Sequence, residues 1–438
     1  MKTFCIQTLG CKVNQYESDG IALNLEEQGW IKGNTGEKAD VVIINTCAVT
    51  SKAGMQSRQT IRKLIRENPN AKIIVTGCHA QTDPESIKKI DHIDHIVCHK
   101  DKNRIAEYIA SACDISFPLT FKKTDHTESN KFQGFHHAVK GDMTRAYLKI
   151  QEGCDAFCTY CIVPYARGSS VSMPKADVFR HLRELGDFGF NEVILTGIHA
   201  GMYGYDFKEK SSLLELLTQI NQERPVYRVR LSSIEPHEIN EGIINLAKPE
   251  NVLCDHFHIP LQSGDDDILK KMKRPYDSFF FRDMVQMIHE IVPFAGIGID
   301  ALIGFPSETD RQFENTYRLI ESLPISYLHV FPFSARKGTP AYHFKHRIDQ
   351  KTIKDRSARM RELDKTKRKA FIKANIHKKL EGLIQHKIDP KSGMLKAVTS
   401  NYLNVFLDGR SELCGKILDI VPEQCDSDLT VRGKISEQ

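Results

Sequence analysis

The chain has 438 residues, of which 40% are hydrophobic and 27% charged, with a net charge of +5 and twelve cysteines. That length predicts two to four domains, each large enough for its own core, and the composition excludes a disordered or fibrous chain. No run of roughly eighteen apolar residues occurs and the N-terminus lacks a charged segment leading into an apolar one, so no membrane span is expected. The expected location is the cytoplasm, where cysteines serve metal or redox chemistry rather than disulfides.

The first segment alternates strand and helix. Residues 2–9 read as a strand, 14–29 as a helix, 40–45 as a buried strand, 57–67 as a basic amphipathic helix closed by Pro69, and 71–76 as a third strand. A βαβαβ order predicts a parallel sheet with right-handed crossovers, here a flavodoxin-like domain over residues 1–115. Cys11, Cys47 and Cys78 each fall in the short turn after one of these strands. In an open parallel sheet the strand carboxyl ends share one edge, where ligands bind. The alternative is three ordinary buried thiols. Their common topological position, with Gly10 and Gly77 permitting close backbone approach, favours three thiolates holding an iron–sulfur cluster. Cys5, Cys98, Cys113, Cys254, Cys414 and Cys425 have no partner spacing and read as packed or incidental thiols. His79, His92, His95 and His99 suit a surface loop and a helix end better than a ligand set.

Periodicity fails through 116–141, which reads as a linker. Beyond it, strands are expected at 144–151, 192–198, 228–234, 256–262, 297–304 and 326–333, separated by helical stretches. Six βα units predict a partial TIM-type (β/α)6 barrel over 142–370, with its active site at the strand carboxyl ends. The first of these strands runs into Gly-Cys-Asp-Ala-Phe-Cys-Thr-Tyr-Cys (153–161), where Cys154, Cys158 and Cys161 are spaced C-x3-C-x2-C. Zinc usually requires two paired elements, and His181 and His199 fit no ligand spacing; zinc or a chance grouping is the alternative. Three thiolates in one loop can hold a four-iron cluster and leave one iron open to a small molecule that accepts its electron. Polar residues gather on the expected rim: Thr196, Gly197, Ser232, Ser233, Glu235, Gln262, Ser263, Asp300, Ser334 and Arg336, with Gly197 and Gly304 leaving room for a bound nucleoside.

Residues 351–379 form a helical stretch with twelve Lys/Arg against three Asp/Glu. A solvated helix face is the usual meaning of such a run, but beside a catalytic barrel a phosphate backbone is its natural counter-charge. The last segment, 371–438, shows short strands near 380–386, 394–400, 402–408, 413–421 and 428–434, which predict a small β-barrel of a kind that often binds nucleic acid. Tyr402 and Phe406 are its candidate stacking aromatics.

Taken together, Thr-Leu-Gly-Cys-Lys-Val-Asn-Gln (8–15), Asn-Thr-Cys-Ala-Val-Thr (45–50), Gly-Cys-His-Ala-Gln (77–81), the loop 153–168, Leu-Thr-Gly-Ile-His (195–199), Arg-Leu-Ser-Ser-Ile-Glu-Pro (230–236), His-Ile-Pro-Leu-Gln-Ser-Gly (258–264), Gly-Phe-Pro-Ser-Glu-Thr (304–309) and the stretch 329–341 resemble the methylthiotransferases of the radical S-adenosylmethionine superfamily over essentially the whole chain. The terminal module resembles a TRAM domain. The resemblance implies two [4Fe-4S] clusters. One, on Cys154, Cys158 and Cys161, cleaves S-adenosylmethionine to a deoxyadenosyl radical. The other, on Cys11, Cys47 and Cys78, supplies sulfur, and a second S-adenosylmethionine donates the methyl group. It further implies Tyr160, Thr196, Gly197, Ser232, Ser233, Glu235, Gln262, Ile303, Gly304 and Arg336 as contacts to S-adenosylmethionine, an electron donor such as flavodoxin or ferredoxin, and a monomer.

Within that family the form of 8–15, the short linker and the Tyr-Ala-Arg-Gly after the cluster loop look most like the branch that modifies carbon 2 of threonylcarbamoyladenosine in the tRNA anticodon stem-loop. The alternatives are the isopentenyladenosine branch and the branch acting on a ribosomal protein aspartate, against which the basic 351–379 run argues. A rival outside enzymes is an RNA-binding module with a structural or electron-carrying cluster, which needs no open iron and no polar rim.

Overall fold

A computed structural model describes residues 2–34, 37–110, 131–139, 141 and 143–436. The N-terminal sheet has five parallel strands in the order Ile31–Lys32, Thr3–Thr8, Val41–Thr46, Lys72–Gly77, His95–Ile96, the flavodoxin-like order. Val41–Thr46 is buried along its whole length because neighbours pair with it on both edges and helices cover both faces. Its side chains alternate between two cores. Ile43 joins Phe4 and Ile74 beneath the helix Lys12–Glu27, while Val42 and Ile44 join Cys5, Val75, Ile61 and Leu64 beneath the helix Ser51–Glu67. That second helix starts six residues before the expected 57, because the Thr50 side chain accepts from the Ala53 N–H and caps it.

The barrel is built from six parallel strands in two sheets. Ala146–Lys149, Glu192–Thr196 and Arg228–Leu231 form one; His256–Gln262, Gly296–Ile303 and Tyr327–Pro332 form the other. Parallel bridges Val229–Leu253 and Ser233–His258 join the sheets. Among the described residues no pairing links the first strand to the last, so the barrel is open on one side. The helix Lys12–Glu27 packs against the first strand, and the long helix Gln350–Asn375 against the last. Tyr16, Ile21 and Leu25 of the former lie in one continuous apolar core with Ala146, Leu148 and Val193. Each such fully buried side chain is worth about 1.5–3 kcal/mol, so the N-terminal domain and the barrel are stabilised jointly.

The described part of the expected linker belongs to this core. Phe135, Ala138 and Val139 are buried, and Phe135 packs edge-on against Tyr16 and fills the space that Gly20 leaves open. Cys113 and most of the linker lie outside the described residues. At the C-terminus five strands close into a barrel in the order Leu380–Ile384, Leu395–Thr399, Asn404–Leu407, Val431–Ile435, Ile417–Cys425. Ile417–Cys425 begins and ends four residues later than expected: a turn at Ser411–Leu413 and Gly415 at φ +80° precede it, and a bulge after Pro422 lets it run past that proline. The helix Gln350–Asn375 runs through residue 370 and delivers Ile372 into this terminal core. Arg228 and Arg230 tie the module to the barrel by donating to the carbonyls of Val398, Thr399 and Ser400.

Candidate active site

Cys11, Cys47 and Cys78 follow the carboxyl ends of three adjacent strands of the N-terminal sheet. Close approach is built into the backbone. A Cβ on Gly10 would lie 2.9 Å from the Cys47 Cβ and 3.0 Å from its Sγ, and one on Gly77 would lie 2.4 Å from the backbone N and O of Thr46. Both glycines have φ near +100°, where a side chain is strained. Burial pushes the Cys47 thiol up to about 11, and the neighbouring Cys78 and Cys11 push it the same way. Cys11 has accessible surface, yet burial also raises its thiol, with Arg167 opposing, so it faces a recess rather than open solvent. Three thiols in one recess, whose thiolate forms disfavour one another, are a donor set that a bound cation would deprotonate and hold.

The second set occupies one loop. Gly153 turns it at φ +73°, so close to Ser169 that a Cβ would lie 1.9 Å from the carbonyl oxygen of that residue, and the Cys154 N–H donates to Gly168 O at 3.0 Å. The Cys161 N–H donates to Cys158 O at 2.9 Å, which turns the three side chains toward one another. Burial raises Cys158, and pushes Cys161 up to about 12 with help from Cys158 and Cys154. Two groups with no spacing relation to the cysteines serve this loop. Arg274 donates to Cys158 Sγ at 3.3 Å and to the hydroxyl of Tyr276 at 2.9 Å, and pairs with Glu235. His199 places Nδ1 3.4 Å from Cys154 Sγ and Nε2 2.8 Å from Glu238.

A short helix links the two sets. Val163–Arg167 begins two residues after Cys161, and Ile162 and Ala166 pack against Cys78 and Ala48. Arg167 then bonds Glu17 at 3.0 Å, Glu152 at 2.7 Å and the Asn14 amide oxygen at 2.5 Å. Lys102 and Lys149 complete the cluster, at 2.5 Å and 3.4 Å from Glu17. Burial opposes charge on Glu17, but Arg167, Lys102 and Lys149 win and hold its carboxyl far below the usual range. Burial, Lys102 and Arg167 lower the adjacent His99 to about 4, so it is neutral near pH 7. Three cations against two carboxylates leave one positive charge over, on the side where Arg167 acts on Cys11 and Cys78.

Of the four histidines read as suiting a surface loop and a helix end, His99 does open a helical turn but is not solvated, and His79 is on no surface loop. His99 belongs to this inter-domain cluster, and His79 is buried beside Arg58 and Arg336. Of the expected rim, Ser232 is buried with its Oγ unbonded within the described residues, Glu235 faces Arg274, and Tyr160 packs with Met272, Phe305 and Ala341 between its cysteines. Thr196 and Ile303 are buried at strand ends, Gln262 ends its strand at φ +66°, and Ser233 is exposed. Room at the glycines is taken by protein: a Cβ on Gly197 would meet Gln151 at 3.0 Å, and one on Gly304 would meet Ile353 at 2.4 Å. Arg336 lies apart from the others, within the field of Cys47, Asp83 and Arg58, because Ser334 receives the Ser51 N–H and docks this loop on the N-terminal domain. The orphaned Ser232 hydroxyl and the Arg274–Glu235 pair beside Cys158 suit a polar cofactor at the loop.

Lys12, next to Cys11, lies within the stretch 8–15 that carries the family resemblance. Burial, Arg145 and Arg230 push its ammonium down to about 8.

Residues 3–98 match the uncharacterized protein family UPF0004, and residues 148–320 the radical SAM superfamily. The chain is 36% identical to the threonylcarbamoyladenosine tRNA methylthiotransferase MtaB of Bacillus subtilis, over 96% of this chain and 93% of that one. It is 32% identical to the protein of the same name from Aquifex aeolicus (95% and 98%), and 32% identical to the tRNA-2-methylthio-N(6)-dimethylallyladenosine synthase of Protochlamydia amoebophila (96% and 93%). Among solved structures, the radical S-adenosylmethionine methyltransferase TsrM of Kitasatospora setae shares the fold at TM-score 0.59 and 15% identity, over 78% of this chain and 77% of that one. With both cysteine sets in place and relatives aligned nearly end to end, the chain belongs to the radical SAM methylthiotransferases.

Proposed function

We propose that this protein methylthiolates carbon 2 of threonylcarbamoyladenosine next to the tRNA anticodon. The observation that carries the reading is the helix Val163–Arg167, which starts two residues after Cys161 and ends on the charge cluster beside Cys11 and Cys78. A substrate base between the two sets would meet both without a domain movement. When bound, two [4Fe-4S] clusters and S-adenosylmethionine supply a hydrogen-abstracting radical, a sulfur atom and a methyl group. In this reading Cys154, Cys158 and Cys161 hold the cluster that cleaves S-adenosylmethionine, and Cys11, Cys47 and Cys78 hold the auxiliary one. Ser232, Glu235 and Tyr160 line the cofactor's place, and Arg274 fixes the Cys158 side of the loop.

The two relatives above named for threonylcarbamoyladenosine, at 36% and 32% identity over 96% and 95% of the chain, support that substrate. The division into 1–115, a connecting segment, 142–370 and 371–438 assigns sulfur supply to the first domain, radical generation to the second and tRNA contact to the third. Exposed Lys351, Lys354, Arg361, Lys369 and Lys373 on the long helix face the solvent as a basic stripe suited to phosphates. The enzyme works as a monomer with a flavodoxin- or ferredoxin-type reductant in the cytoplasm. No helix among the described residues is long and apolar enough to cross a membrane.

Mass spectrometry of tRNA nucleosides from a strain lacking the gene tests the substrate. Loss of the methylthio derivative of threonylcarbamoyladenosine is expected; its persistence sinks the assignment.

A further inference from the structure

The inner wall of the barrel ends on an open aromatic ring. In the second sheet the rows His258–Gly298–Tyr327, Asp300–His329 and Leu302–Phe331 lie one above another in register. Ile299, Ala301, Leu328 and Val330 alternate with them and pack in the core under the outer helices, so these rows face the lumen. The terminal module closes the floor: Tyr402 stacks on His256 at 4.3 Å, and a Cβ on Gly296 would lie 2.1 Å from the Asn401 carbonyl oxygen. Exposure then rises along the last strand, from 8% at Tyr327 to 40% at Phe331, with His329 exposed between them.

Polar groups on this wall are spent on one another. His256 lies 2.8 Å from the Tyr327 hydroxyl, and His258 lies 2.9 Å from Asp300. What the wall still offers is ring surface. His329 lies nearly parallel to Phe331, at 26° and 6.2 Å between centroids, and backs it. A flat aromatic group is the ligand that such a surface fits. Two neighbours place the ring on the stretch of wall that runs from one cysteine set to the other. Leu302, beside it, packs with Tyr160, which sits between Cys158 and Cys161. Three residues after Phe331, Ser334 accepts from the N–H of Ser51 at 2.8 Å, four residues after Cys47. Barrels of about eight strands already have room inside for little more than side chains or one small ligand, and this one has six, so a base fits and a folded partner does not.

We propose that Phe331, backed by His329, is the platform on which the RNA base to be modified stacks. This deepens the reading of the preceding section and rests on it for the entry of that base. The adenine of S-adenosylmethionine offers the same chemistry, but its place in that reading is beside Tyr160, on the Leu302 side. Phe331 stands on the strand that continues to Ser334 and the N-terminal domain, where a group presented to both cysteine sets has to lie.

The test measures binding by the full chain with both clusters reconstituted. Two anticodon stem-loop RNAs are compared, one with plain adenosine at the target position and one abasic there. The wild type is expected to bind the adenosine RNA about 5- to 100-fold more tightly, the usual worth of one stacked base. Phe331→Ala is expected to bind both RNAs alike while keeping its affinity for S-adenosylmethionine, and Phe331→Tyr to keep the preference. Phe331→Leu retains apolar bulk without a π-face and should also lose the preference, which covers the case of an alanine variant that does not fold; iron content reports folding for each. A wild type that binds both RNAs alike overturns the proposal, as does a Phe331→Leu enzyme that still tells them apart. A loss that falls on S-adenosylmethionine affinity, with the RNA preference intact, overturns it too and gives the ring to the cofactor. If the preference depends on Phe331 but a threonylcarbamoyladenosine stem-loop is not methylthiolated, the platform stands and the substrate assignment of the preceding section fails.

Discussion

The two cysteine sets reach a similar arrangement by opposite means. Cys154, Cys158 and Cys161 lie within eight residues, positioned by the loop's own backbone bonds and two distant side chains, Arg274 and His199. Cys11, Cys47 and Cys78 span 68 positions and are brought together only when three strands pair in register and two glycines let their turns close. A local device tolerates loosening of the surrounding fold, while a device at a sheet edge is only as good as the sheet. The inter-domain charge cluster around Arg167 joins the two, and so it is where they can be separated experimentally.

The largest effect is expected from deleting each set in turn. Replacing Cys154, Cys158 and Cys161 together by Ala should abolish 5′-deoxyadenosine formation under dithionite. Replacing Cys11, Cys47 and Cys78 by Ala should remove about half the bound iron, since in the proposed reading each set carries one cluster, yet keep cofactor cleavage. Unchanged iron in the second variant would refute the ligand placement.

Next in size is Arg167→Met, which removes the guanidinium that bonds Glu17, Glu152 and Asn14 and leaves the two carboxylates to Lys102 and Lys149. Breaking these buried ion pairs should cost about 3–5 kcal/mol in denaturant unfolding and lower the auxiliary iron more than the other. The pH dependence has a definite sign. Glu17 and Glu152 have folded-state pKa values held below the unfolded one, so their stabilisation is complete above about pH 4.3 and is lost as pH falls. An unfolding titration from pH 6 to pH 3 should show this loss in the wild type and a shallower one in Arg167→Met; parallel curves would exclude the cluster as its source.

Gly77→Ala should be milder, about 1–3 kcal/mol, from strain at φ +101° and a clash with the Thr46 backbone. Because only the sheet-edge set depends on that turn, its cluster should be lost first on heating, followed by visible absorbance; simultaneous loss of both would erase the contrast drawn above. The smallest effect concerns the basic helix. Lys351, Lys354 and Lys369 to Gln should each lower the salt dependence of tRNA binding by about one unit of slope for every phosphate no longer neutralised, with cofactor cleavage unchanged.

Strands are readable because their apolar residues alternate or run continuously between Gly and Pro punctuation; Cys154, Cys158 and Cys161 are readable from their spacing alone, and Cys11, Cys47 and Cys78 only once the strands are placed. What escaped depends on contacts across long sequence intervals. Arg274 lies in a loop 116 positions from the cysteine it bonds. His79 and His99 read as surface residues because nothing nearby in sequence announces the Arg58 and Glu17 they pack against. Gly197 and Gly304 looked like space for a ligand, since a sequence shows that a side chain is missing but not which neighbour fills the gap. Phe135 falls in the stretch read as a linker because its partner, the notch at Gly20, lies far away in the sequence.

The helix Lys12–Glu27 closes the side of a barrel whose strands are made more than a hundred residues later. During synthesis Tyr16, Ile21 and Leu25 must therefore wait, uncovered on one side, until Ala146–Lys149 arrives. The N-terminal half cannot mature as an independent unit, and an early stop before the barrel would leave a sticky fragment rather than a smaller folded domain. Once the halves have met they share one apolar core, so the offset between the two reagents is set at folding and it is the adenine that has to travel.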